Sequence, residues 1–197
     1  MKYILLKIIL FGVGIFLIVE GIKEKSLAST ASAAPEEITL AALIARGPDS
    51  NPNIILTDYM LGEGFIYKSR RGSWSGAWVP AIPGKPGPER AGKPEIIKAL
   101  IYTGQARNAE EVYQRCEKPK LRGLLVNQIE TLQPDERTLL ERSYPGTDFS
   151  NCLIIHEGRE PAGTGKVLLM VGGGVLLVLA ALAWFAAGFI KKSQPAA

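Results

Sequence analysis

Residues 167–190 read VLLMVGGGVLLVLAALAWFAAGFI, twenty-four positions without a charge, bracketed by Lys166 and by Lys191 and Lys192. As a helix rising about 1.5 Å per residue this segment is ~36 Å long, whereas the hydrocarbon core of a bilayer is ~30 Å thick. A helix that is apolar all round can otherwise be buried only in a large core, and a chain of 197 residues does not supply one. The segment is therefore predicted to span a membrane with some tilt, and the rest of the chain is read as membrane-anchored.

The charge distribution agrees. The formal charge is +4, yet residues 23–165 carry 18 Lys and Arg against 18 Asp and Glu. The excess sits in Lys2, Lys7, Lys166, Lys191 and Lys192, offset only by Glu20. Basic residues flanking apolar segments set orientation and meet anionic headgroups. A nucleic-acid binder would carry its basic patch on the folded domain, so that class is excluded.

A second apolar run, residues 8–19, extends across Lys7 to residue 3. Lys7 can reach the interface, so residues 3–19 make a short span, and residues 1–22 are read as an uncleaved anchor. The competing reading is a signal peptide cut near Ala31-Ser32-Ala33, at the cost of a long polar stretch before the cleavage box. Basic residues before the first span and after the second predict cytoplasmic termini and an extracytoplasmic central domain.

Between the anchors, residues 23–35 read as a tether, 36–161 as one α+β or α/β domain of about 125 residues, 162–166 as a linker, and 191–197 as a cytoplasmic tail. A helix is expected from Glu36 to the Gly47-Pro48 stop, with a strand as the competing reading. Strands are expected at 54–61, 65–68 and 74–82, forming a short antiparallel meander. Residues 83–94, with four prolines and three glycines, are a solvated excursion loop containing P-x-x-P. A β-α-β-α-β series follows: strand 96–103, a helix 109–117 capped by Asn108 with Glu111 at N3, strand 121–126, a helix opening at Pro134 with Leu139 and Leu140 inward, and strand 152–157.

Chemistry-bearing residues are few. One histidine, His156, and two cysteines, Cys116 and Cys152, lack any zinc-ligand spacing, and no other cofactor motif is present. Gly163-Thr164-Gly165-Lys166 lacks both the leading glycine and the following Ser or Thr of a P-loop. On a strand, Cys152 and His156 share a face but stand ~13 Å apart, too far for a thiolate–imidazole pair. Asp58 lies within an otherwise apolar strand. Trp74 and Trp78, four residues apart, are expected on one strand face, as packing or as a partner surface. Cys116 and Cys152 are either a disulfide, worth ~3 to 4 kcal/mol by loop closure, or two buried thiols. In the second span Gly173, Ala180 and Ala187, with Ala183 beside them, form a small-residue stripe that lets helices, including a second copy, approach closely.

As a set, LTDY (56–59), WVP (78–80), GLLVN (123–127), SYPG (143–146) and CLI (152–154) resemble an uncharacterised family of small bacterial membrane proteins with one extracytoplasmic domain between two anchors. That resemblance implies the layout and no chemistry. Two functions remain open: a non-catalytic interaction or assembly module of the envelope, with the bilayer and other envelope proteins as partners, or an envelope hydrolase whose site assembles around His156, Asp58 or Cys116.

Overall fold

The computed structural model describes residues 3–49, 51–62, 64–70, 72–84, 96–127 and 129–192, the side chains of 70 and 188–192 excepted. It is a mixed α/β protein of two compact units: Met1–Ser29 with Ala162–Ala197, and Thr30–Pro161.

The first unit is a helical hairpin. Helices α1 (Ile4–Thr30) and α5 (Thr164–Lys192) are each long and apolar enough to cross a membrane. They run antiparallel: Lys7 meets Trp184, Gly14 meets Gly174, and Glu24 meets Lys166. At the crossing neither helix tolerates a side chain. A Cβ on Gly14 would lie 2.8 Å from the carbonyl oxygen of Gly174, and one on Gly174 would lie 2.7 Å from that of Gly14. Small residues at such a seam let backbones pack directly. Lys7 is buried in the hairpin, its Nζ donating to the Trp184 carbonyl at 2.7 Å and lying about 5 Å from the Trp184 and Phe185 ring centres. The stretch expected as a tether is partly helical, since α1 continues to Thr30. Leu27 is buried there, and alanine and leucine favour helix over the coil that the polar composition suggested. Beyond the helix Ser32 is held by its backbone, whose N–H donates to Asn51 Oδ1 at 2.9 Å and whose carbonyl accepts from Asn53 Nδ2 at 2.9 Å.

The second unit is built on one eight-stranded sheet. Its strands are β1 (Glu36–Thr39), β2 (Asn53–Thr57), β3 (Tyr59–Leu61), β4 (Ile66–Arg70), β5 (Ser73–Pro83), β6 (Ala99–Thr103), β7 (Leu121–Leu125) and β8 (Leu153–Glu157). The order is β1-β2-β7-β8-β6-β5-β3, with β4 also on β5; β1–β2 and β6–β8 are parallel, the other pairs antiparallel. β2 and β3 stand far apart in that order, yet only Asp58 separates them in the chain. The sheet must therefore curl strongly, so that β3, paired with β5, starts where β2 ends.

Alternate residues face the enclosed side. Ile54, Leu56, Ala77, Val79, Ala99, Ile101, Leu121, Leu153 and Ile155 meet there with Leu40 and Leu43 of α2 (Leu40–Arg46) and Val112 and Cys116 of α3 (Ala109–Cys116). The first stretch of the domain is thus strand followed by helix: Thr39 ends β1 and caps α2, its hydroxyl accepting from Ala42 N at 3.2 Å. The outer face is covered around α4 (Pro134–Ser143), with Leu140 buried. Leu139 is 47% exposed, because adjacent helical positions point about 100° apart and only one of the two leucines can face the sheet.

The expected three-strand meander is replaced by a single β4–β5 hairpin: β2 pairs with β1 and β7, and β3 joins β5 from the far side. After β6 come α3, β7, α4 and β8 in chain order. Asn108 caps α3, accepting from Glu111 N at 2.9 Å. From residue 85 onward the proline- and glycine-rich loop lies outside the described residues.

Candidate functional site

On the outer face one row of residues crosses three neighbouring strands. Trp78 on β5 is paired with Tyr102 on β6, and Tyr102 with His156 on β8. Ring centres lie 4.7 Å apart for Trp78–Tyr102 and for Tyr102–His156. Tyr102 lies over Gly76, where a Cβ would fall 2.5 Å from the phenolic oxygen, and that hydroxyl donates to Ser75 O at 3.2 Å.

Charges surround this row in opposite pairs. Lys68 of β4 contacts Glu136 of α4 at 2.5 Å, and Glu136 also accepts from Gln133 N at 2.9 Å, tying α4 to β4 and closing its own first turn. Arg159 Nη1 lies 3.4 Å from Glu130 Oε2 and 3.5 Å from His156 Nδ1. A guanidinium has no acceptor, so Nδ1 accepts and the imidazole proton sits on Nε2. That nitrogen is 3.3 Å from Glu130 Oε2, within charge contact but not aligned as a hydrogen bond. His156 is only 9% exposed; burial first, then Arg159 and Lys68, push its pKa down to about 4, so it is neutral at pH 7. Burial raises Glu130 above the ordinary carboxylate range. Burial alone would lower Lys68, but the Glu136 carboxylate outweighs it and holds the ammonium above its usual pKa. Two cations, two anions and a neutral imidazole make this a tie between α4, Glu130 and the sheet. Asn127 strengthens it, donating to Cys152 O and accepting from Ile154 N, each at 2.7 Å.

A second feature lies where the β2–β7 ladder stops. Its last pair is Leu56–Leu121. The next bonded step would set Asp58 against Pro119, which has no N–H, and Asp58 has φ +47°, turning the chain out of the strand. A cleft of about 620 Å³ opens there, lined by Asp58, Leu61, Tyr113, Glu117, Lys118 and Pro119 among others. Tyr59 anchors its wall, donating to Cys116 O at 2.6 Å; burial raises this phenol to about 12.

The three side chains around which an enzyme reading turns are not assembled. His156 faces outward, whereas its neighbour Ile155 shares the enclosed core with Cys116. Asp58 lies at the cleft. Cys116 is fully buried, and burial pushes its thiol up to about 12, far from the thiolate that a nucleophile requires. Cys152 is raised to about 12 for the same reason, and its Sγ donates to Ile97 O at 3.3 Å. Both cysteines are free in the structure, each in its own packing environment. Among the described residues no group of three or more His, Cys, Asp or Glu side chains is placed to hold a metal ion.

Trp74 and Trp78 do not share a face. Trp78 is 1% exposed beneath the outer layer, while Trp74 packs against the enclosed core and stacks on Tyr67 at 4.6 Å and 14°. Phe65 joins them at 6.1 Å from Trp74 and 5.6 Å from Tyr113. This aromatic group reaches solvent, with Tyr67 58% and Tyr113 40% exposed, and it borders an open hollow carrying Arg107, Arg115 and Lys118. Of the two tryptophans expected on one partner surface, Trp74 belongs to this patch and Trp78 does not, because a bulge between them reverses the side-chain alternation of β5.

In α5, Ala180, Ala183 and Ala187 are exposed and a Cβ on Gly173 would meet nothing within 4 Å. The seam with α1 runs instead through Val171, Gly174 and Val178. Comparison with protein-family models, with curated proteins and with solved structures finds no match to this chain.

Proposed function

We propose that the chain is a two-span integral membrane protein of the bacterial envelope, in keeping with the family it resembles. In this reading α1 is retained, both termini are cytoplasmic, and the 30–161 domain is a non-catalytic interaction or assembly module on the other side. The observation that carries the reading is the aromatic patch of Tyr67, Trp74, Phe65 and Tyr113. Large rigid side chains reaching solvent beside cationic residues are what partner surfaces use, since they bury much area at little entropic cost. The separation of Asp58, Cys116 and His156 weighs against a hydrolase built from them.

A photoreactive phenylalanine placed at Tyr67 should give a discrete crosslinked product in native membranes. The same group at Leu139, exposed on the α4 side, should give none. Equal crosslinking at both sites, or none at Tyr67, would sink the assignment of this surface.

A further inference from the structure

We infer that the domain-side mouth of the α1–α5 hairpin holds one anionic phospholipid; this rests on the two-span reading above. A groove of about 380 Å³ opens there between the helices, lined by Lys25, Ala28 and Ser29 of α1 and by Thr164, Val167 and Val171 of α5. Its composition is graded. Lys25 and the two hydroxyls occupy one end, and the valines continue about 10 Å along α5 from Thr164 to Val171.

Charge selects the occupant. Three lysines stand at this end of the hairpin. Lys23 is held by Glu20 at 2.9 Å, and Lys166 lies 3.9 Å from Glu24. Lys25, by contrast, has no ion pair among the described residues, and it is the lysine that lines the groove. The first turn of α5 adds its positive dipole end at the same rim. An anionic headgroup over an acyl chain matches both ends of the groove at once. A soluble anion would leave the apolar end unfilled. A zwitterionic lipid, although its phosphate can meet Lys25, would bring a second cation to a rim already carrying Lys25 and the helix dipole.

The full chain, purified in detergent and given equal amounts of phosphatidylglycerol and phosphatidylcholine with identical chains, is assayed by native mass spectrometry. One retained phosphatidylglycerol, preferred over phosphatidylcholine, is expected. Lys25→Gln should cut that preference about fivefold, the equivalent of one basic residue at an anionic surface. Ala28→Phe should evict the lipid without changing charge, and Lys23→Gln should leave retention unchanged. Equal retention of the two lipids by the unmodified chain, an unaltered preference in Lys25→Gln, or displacement by glycerol phosphate alone overturns the inference. Resistance of the same chain to carbonate extraction from membranes is read separately. Extraction overturns the two-span reading, whereas a resistant chain without lipid preference overturns the groove alone.

Discussion

Trp74 and Trp78 stand on opposite faces of β5 because Ser75 lies between them as an unmatched residue. On β4, Lys68 pairs with Gly76 and the very next residue, Ser69, pairs with Trp74. Two steps on β5 thus answer one on β4, and side-chain alternation reverses across the bulge. One tryptophan is thereby sent to the enclosed core with Tyr67 and Phe65, the other to the outer row with Tyr102 and His156.

The same bulge sets a glycine under a phenol. Gly76 has φ +149°, open to glycine but rarely to other residues, and a Cβ there would collide with the Tyr102 ring. Gly76→Ala should destabilise the domain by about 1 to 3 kcal/mol, the usual range for an overpacked site. Denaturant unfolding followed by tryptophan fluorescence measures it. A loss below about 0.5 kcal/mol would show that Tyr102 moves aside freely.

The buried imidazole should make stability depend on pH. His156 titrates near 6.5 when unfolded and near 4 when folded. Between those values the unfolded chain holds the extra proton, so folding is progressively penalised as pH falls from about 6.5 to about 4, by up to roughly 3 kcal/mol. Below that range the penalty is constant, and above it absent. Glu130, raised by burial, contributes the opposite slope at the acid end, and Lys68, Glu136, Arg159 and Tyr102 also face the site. Comparison with His156→Gln isolates the histidine: the difference in unfolding free energy between the two proteins should change across pH 4 to 6.5. A constant difference would mean that the imidazole is not held neutral.

Where one local rule decides an element, the sequence was sufficient. Asn108 with Glu111, and Pro134 with Asp135 and Glu136, mark helix starts that the structure keeps. The two apolar helices were equally plain. Features that depend on pairing were not legible. The sequence of β2 and β3 reads as one apolar run, and only the tertiary partners Leu121 and Ala81 separate it into two strands on different neighbours. The helix expected from Glu36 begins at Leu40, since residues 36–39 pair with β2 and a parallel neighbour overrides the local preference of the acids. The outer-row site was half visible. His156 and Trp78 stood out as singular residues, but Lys68, Glu130, Glu136 and Arg159 looked like ordinary surface charges until the sheet gathered them.

Topology is open to a direct measurement. If the 30–161 domain is extracytoplasmic, alkaline phosphatase fused after Pro161 should be highly active and a fusion after Ala197 nearly inactive. The reverse pattern would invert the orientation.

The two thiols should report separately from each other and from any bridge. Denatured, unreduced protein should accept alkylating reagent at both Cys116 and Cys152, because both are free. In the folded protein both should react slowly, since each is buried and raised to about 12. Recovery of a protein with no modifiable thiol would establish a disulfide instead.

In the hairpin the two backbones meet at Gly14 and Gly174, which fixes which residues lie opposite one another along it. A Cβ at Gly21 would lie 3.2 Å from that of Met170, close to the spacing of disulfide-linked residues. The Cβ at Gly21 would also fall 2.7 Å from Val171 Cγ2, so Val171→Ala is included to clear the methyl. In a background of Cys116→Ala, Cys152→Ala and Val171→Ala, the pair Gly21→Cys and Met170→Cys should oxidise readily and shift the mobility of a chain cleaved between the helices. Adding Gly14→Leu should suppress that crosslink. The new side chain has to occupy space now taken by the Gly174 carbonyl and by Val178, so the helices must separate or rotate, and Gly21 then leaves Met170. Gly12→Leu is the control, as nothing lies within 4 Å of a Cβ at that position, and it should leave the yield unchanged. Equal yields in all three backgrounds would mean that the helices meet elsewhere and that the Gly14–Gly174 contact does not set their packing.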